Sequence, residues 1–228
     1  MTAFSAIACS CDPPRQTPQA GVNASGVLRI PGVLSPGLLA FFPMGRFGSD
    51  DVAGCADVLS TLGSFGQIAD GIGCQKATAM ANRQALILGN PLSLPVSFSA
   101  WVKPGEQTQD QTLLTIGSAV RFGITWDGNL VCEVNRDTDN EDAVYTSNAI
   151  PSDRLTRVGY ALSHGKVLMT INGEIAAAKT IGVPSIGDGP STVFGFNSEP
   201  AFAGIAMHAA LWNADRSAEE HIAEYSSY

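Results

Sequence analysis

Between Leu38 and Trp212 hydrophobic and polar positions alternate in short runs broken by turn residues, the pattern of consecutive antiparallel strands. Val96, Phe98, Ala100 and Val102 alternate with Ser97, Ser99 and Trp101, which predicts a strand with Trp101 on the face opposite Phe98. Thr112–Ile116 reads as another strand. Val120–Trp126 and Leu130–Val134 flank Asp127-Gly128-Asn129, a hairpin signal because glycine accepts positive φ at no steric cost. Val158–Leu162 and Val167–Ile171 flank Ser163-His164-Gly165-Lys166, a second hairpin, and Asn172-Gly173 turns the chain into Glu174–Ala178, a third. Further strands are expected at Thr192–Phe196 and Ala203–Trp212.

One helix is signalled, at the C-terminus. Ser217 followed three residues later by Glu220 forms a capping box, and Glu219 and Glu220 suit the positive end of the helix dipole. Ile222 and Tyr225, spaced i, i+3, are its expected docking face. The pattern stops short of the N-terminus. Residues 1–37 carry Pro13, Pro14, Pro18, Pro31 and Pro36 with four glycines and no sustained period, so they are expected to form an extended arm. The remaining 38–228 would form a single all-β sandwich with one short terminal helix.

Composition narrows the function. Hydrophobic residues make up 45% of the 228, enough for a core without disulfides or metal, while charged residues are only 15%. Thirteen Lys+Arg against 21 Asp+Glu leave a net charge of −8, which disfavours nucleic acid and anionic membrane surfaces as partners. Twenty-four Gly and 13 Pro suit many short strands. Five cysteines do not make an even disulfide framework, so reduced thiols are expected, with Cys55–Cys74 the alternative pairing. Cys9-Ser10-Cys11 supplies too few ligands for zinc on its own. No basic n-region precedes the apolar residues near Met1, so no signal peptide is expected.

Three stretches resemble the concanavalin A-like, laminin-G-like jelly roll. Val96–Pro104 (VSFSAWVKP) is similar to the family's F-T-I-S-A-W-V-K-P strand, and His164–Glu174 (HGKVLMTINGE) to its hairpin motif. Phe202–Glu220 resembles its closing strand and the start of its terminal helix. The resemblance implies a concanavalin A-like antiparallel jelly-roll sandwich over 38–228, with the arm outside it. Two family signatures are replaced: a Trp-His-His stretch by Leu155–Gly159 (LTRVG), and an acidic pair by Ala206-Met207. Members include lectins, adhesion domains, glycosidases and phage virion proteins, and fold alone does not choose among them.

Candidate chemistry is sparse. A retaining glycosidase needs two carboxyl groups ~5–5.5 Å apart, which residues i and i+2 of one strand satisfy. Glu133 has Asn135 at i+2 instead, so hydrolase activity is not expected. Arg136–Asp142 clusters Asp137, Asp139 and Asp142 with Asn140 and Glu141, a weak candidate calcium loop lacking the EF-hand's central glycine and terminal glutamate; its plain alternative is a solvated acidic turn. Ser49-Asp50-Asp51 is weaker. A sugar platform needs an exposed ring with polar neighbours, for which Trp126, beside the Asp127-Gly128 turn, and Tyr145 are the candidates. The resemblance and the arm together imply a non-enzymatic phage virion component. It would be a capsid decoration or tail-associated protein that assembles with copies of itself and other virion proteins. The alternative is a lectin-like module that binds a glycan.

Overall fold

The computed structural model describes residues 37–42, 58–62, 66–68, 77–80, 85–89, 92–106, 108–195 and 200–225. The expected arm, apart from Gly37, lies outside the described residues, as do Cys9, Cys11, Cys55, Cys74 and Ser49-Asp50-Asp51. The described chain begins with β1 (Leu38–Phe42), β2 (Val58–Leu62), β3 (Gly66–Ile68), β4 (Ala77–Met80) and β5 (Ala85–Leu88). It continues through β6 (Val96–Pro104), β7 (Gln111–Ile116), β8 (Val120–Ile124), β9 (Asn129–Val134) and β10 (Asp142–Ala149). The last strands are β11 (Thr156–Ser163), β12 (Lys166–Ile171), β13 (Glu174–Thr180), β14 (Thr192–Val193) and β15 (Gly204–Trp212), and α1 (Ala218–Tyr225) follows.

Two antiparallel sheets face each other. One runs β13-β12-β11-β6-β15-β4-β3, with β1 also paired to β15; the other runs β10-β9-β8-β7-β14-β5-β2. The sandwich expected from the strand pattern, and the jelly roll that the resemblance implies, are the observed fold, with one short C-terminal helix. Val96, Phe98, Ala100 and Val102 of β6 point into the core between the sheets. Tyr160 of β11 stacks on Phe122 of β8 with ring centroids 4.8 Å apart, and its hydroxyl donates to the Gly123 carbonyl at 2.7 Å. That contact joins the two layers, and it satisfies a hydroxyl whose burial without a partner would cost about 1–3 kcal/mol.

The alternate residues of β6 are buried too, because a second layer covers the outer face of its sheet. Trp101 packs with Met207 and lies 5.6 Å from the Tyr225 ring of α1. Ser217 and Glu220 form the expected capping box: the Ser217 N–H donates to Glu220 at 2.8 Å and the Glu220 N–H to the Ser217 hydroxyl at 3.3 Å. The docking face matches expectation at Tyr225 but not at Ile222. His221 is the buried helical residue, whereas Ile222 is 45% exposed. The reason is the seat. Across three strands Ser99, Gly159 and Thr170 are direct neighbours, and a Cβ on Gly159 would lie 2.8 Å from His221 Nδ1. Only a glycine there lets the helix come down so closely.

Two expected boundaries also shift. The strand expected to reach Trp126 ends at Ile124, where the turn begins. Only Thr192 and Val193 of the expected 192–196 strand pair, since Phe194 takes a φ of 63°; residues 196–199 are outside the described set. Strand β10 was not expected at all. It is an edge strand in which the residues on the same side as Val144 are the polar Asp142, Thr146 and Asn148, so its one buried apolar position gives little periodic signal.

Candidate functional site

The β8–β9 turn is where an aromatic side chain leaves the core. Strand pairing ends at Ile124–Leu130, and Gly128 turns the chain with a φ of 88°. The Thr125 N–H donates to the Asn129 carbonyl at 2.8 Å, and the Gly128 N–H to the Thr125 carbonyl at 2.9 Å. The Thr125 hydroxyl donates to the Asp127 carboxylate, and Asn129 Nδ2 donates to its other oxygen at 2.9 Å. These bonds, the Thr125 hydroxyl first, hold the exposed Asp127 carboxyl below the usual carboxylate range. The turn is therefore rigid and carries a fixed negative charge.

Trp126 stands at its tip, 66% exposed. Its backbone N–H donates to Asp110 Oδ1 at 2.9 Å, while Arg121 Nη2 donates to Asp110 Oδ2 at 3.2 Å. Arg121 is nearly fully buried on the sheet face turned away from the core and also grips both oxygens of Glu133, at 2.8 and 3.1 Å. Arg136 Nε adds a contact to Glu133 at 3.0 Å. A chain of alternating charges thus ties the Trp126 backbone to strands β8 and β9 of the seven-stranded sheet.

Trp126 forms part of the wall of a groove of about 580 Å³ at one end of the sandwich. Lys103, Gly105 and Glu106 line it from the end of β6, Gly204 and Ile205 from β15, Ser152 from the segment after β10, and Asp127 and Gly128 from the turn itself. Its size falls within the ~300–1,000 Å³ of small-molecule sites, and its lining combines apolar surface with a few polar groups. Tyr145, 56% exposed, is not among the lining residues. It pairs with Val131 on the outer face of the sheet. Partial burial first, then the Glu133 and Asp110 carboxylates, raise its phenol above the ordinary value. The two aromatic candidates therefore belong to different surfaces.

The acidic turn is organised by its own backbone. Asp137 takes a φ of 60°, and the Thr138 hydroxyl donates to the Asn135 carbonyl at 2.6 Å. Asp137 and Asp139 are exposed, whereas Asp142 is bound by Lys179 at 3.0 Å, which is the first cause of its lowered carboxyl pKa. Among the described residues no three His, Cys, Asp or Glu side chains converge as a metal site would need. Both oxygens of Glu133 accept guanidinium hydrogen bonds. Cys132, the free thiol among the described cysteines, is buried in the core, and burial pushes its thiol far up.

Sequence reasoning singled out Trp126 but missed Asp110, Lys103, Glu106 and Ser152. Lys103 lies within, and Glu106 just past, a strand that the resemblance had already marked. Nothing local connects them to a turn more than twenty residues on.

The comparisons with known proteins agree with this architecture. Domain 4 of AbnA, an extracellular GH43 arabinanase from Geobacillus stearothermophilus solved in complex with arabinotriose, superposes with a TM-score of 0.68 at 19% identity, covering 82% of this chain and 98% of that one. A structure from work on botulinum neurotoxin type C and its interaction with two ganglioside molecules gives 0.62 at 14% identity; 84% of this chain matches about half, 51%, of that one. The CBM40 of the Ruminococcus gnavus IT-sialidase, bound to α2,3-sialyllactose, gives 0.57 at 16% identity over 64% of this chain and 95% of that one. At such identities these likenesses establish the fold. By sequence, no curated protein gives a significant match. Residues 81–220, more than half of the chain, match the family described as the concanavalin A-like lectin/glucanases superfamily, and the chain belongs to that superfamily.

Proposed function

We propose that this protein is a non-catalytic, lectin-like carbohydrate-binding module whose sugar platform is Trp126. The observation that carries this reading is a ring held out at 66% exposure over a polar-rimmed groove by a rigid, hydrogen-bonded turn. A pyranose offers an apolar C–H face to such a ring and hydroxyls to neighbours such as Asp127 and Ser152, a division of labour that suits amphipathic ligands. The arabinotriose, ganglioside and sialyllactose named for the structural relatives support a saccharide as ligand. The engagement of both Glu133 oxygens by guanidinium groups supports binding without hydrolysis, since a general acid must have a proton to give. The virion-assembly role expected of residues 1–37 rests on the arm, and no feature of the described surface favours it as a second reading.

The test is a glycan array followed by titration calorimetry on the best ligand, with the full chain and Trp126→Ala. Because most of the ring is already in solvent, truncation leaves the core intact. Affinity is expected to fall by at least about tenfold, or ~1.4 kcal/mol. Binding that survives the substitution unchanged, or no binding to any glycan, refutes the proposal.

A further inference from the structure

The charge pattern around Trp126 says which kind of sugar fits. Lys103 is the one basic side chain among the described lining residues, against the two carboxylates of Glu106 and Asp127. Asp127 accepts hydrogen bonds from Thr125 and Asn129, which hold it ionised and fixed at the groove wall rather than free to swing away. The next acidic group, Asp110, sits behind the Trp126 backbone and is countered by Arg121. The chain as a whole carries a net charge of −8, so the wider field adds to the local one. A sialic or uronic acid bound here would bring its carboxylate beside carboxylates. Sugar hydroxyls, in contrast, are donors, and an ionised carboxylate with free lone pairs is a strong acceptor for them.

The floor agrees. Gly105, Gly128 and Gly204 line the same groove and leave backbone without side-chain cover, so a ring lying against Trp126 also meets main-chain groups. Main-chain N–H and C=O groups can exchange hydrogen bonds with the hydroxyls of such a ring.

We propose that the Trp126 groove takes uncharged oligosaccharides and discriminates against sialylated or otherwise anionic ones. This rests on the carbohydrate-binding reading above and narrows it to a ligand class. Two unit charges 4 Å apart in water interact by enough to change affinity about fivefold, which sets the smallest expected preference.

The experiment is calorimetry of the full-length protein with matched pairs: the best neutral oligosaccharide from the array, and the same glycan capped with α2,3-linked sialic acid. The neutral member is expected to bind at least about fivefold more tightly at low salt. The gap should narrow at 1 M NaCl, where the Debye length is ~3 Å, and in Glu106→Gln. Trp126→Ala should weaken both members together. Equal or tighter binding of the sialylated member, lost in Trp126→Ala, overturns this inference but leaves the lectin-like reading standing. A neutral preference that Glu106→Gln and salt both leave unchanged overturns the electrostatic basis. Absence of binding to every glycan fails the underlying function, and this inference with it.

Discussion

Replacing Gly159 by alanine tests how the helix is seated. The added Cβ would lie 2.4 Å from Thr170 Oγ1 and 2.8 Å from His221 Nδ1, both far inside van der Waals contact. The two contacts do not relax equally. Thr170 relieves the first by turning about χ1, whereas the His221 ring is buried beneath α1 and moves only with the helix. Overpacking of this kind costs about 1–3 kcal/mol. Alanine also restricts the unfolded chain and returns about 0.4–1 kcal/mol, so the steric cost wins by about 1–2 kcal/mol. For a chain of this size each kcal/mol moves the midpoint by about 2–4 °C, which predicts a fall of about 2–8 °C. The assay is thermal unfolding of four proteins: wild type, Gly159→Ala, His221→Ala and the double variant. If the ring is the obstacle, His221→Ala is less damaging, or even helpful, in the Gly159→Ala background. A coupling within about 0.3 kcal/mol of zero, or a Gly159→Ala protein as stable as wild type, refutes the seating argument.

Two further outcomes follow from the same structure. His208 and His221 are buried beside Arg157 and Arg216, and burial first, then those guanidinium groups, depresses both imidazole pKa values to about 3. Between that value and the ordinary 6.5 the unfolded chain binds more protons than the folded one. Stability is therefore fully present above pH 6.5 and falls as the pH drops toward 3, by up to about 1.4 kcal/mol per pH unit per imidazole. Urea titrations at pH 7, 5.5 and 4 check this, and a flat profile across that range counts against neutral buried imidazoles. Asp110→Ala removes the acceptor of the Trp126 N–H without removing a residue of the groove lining. One lost hydrogen bond of ~1 kcal/mol predicts roughly fivefold weaker glycan binding by calorimetry, and an unchanged affinity means the turn holds Trp126 without it.

How far the sequence reaches can be judged strand by strand. Strand β6, the three hairpins of β8–β9 and β11–β13, and the capping box at Ser217 were legible because each signal is local: period-2 alternation, a turn glycine, a hydroxyl three residues from a glutamate. The exposed β10 was not, because an edge strand facing solvent has no apolar period to display. Alternation also showed the direction of Trp101 but not its burial, since what covers it is α1, about 120 positions further along the chain. His221 was missed as the docking residue for the same reason: its seat is Gly159, on another element.

By itself, then, the sequence determined the all-β class, the turns and the helix start, because these depend on backbone preferences and side-chain spacing within a few residues. The surroundings of Trp126 follow instead from long-range packing. Glu106 and Asp110 from the β6–β7 connection, Asp127 from the β8–β9 turn and Ser152 from the segment after β10 are brought to one end of the sandwich by strand pairings that no local pattern encodes. The same pairings set Tyr145 on a different face and bound Asp142 to Lys179. A binding site is a property of which surfaces meet, and that is settled by long-range packing of the core rather than by the residues of the site.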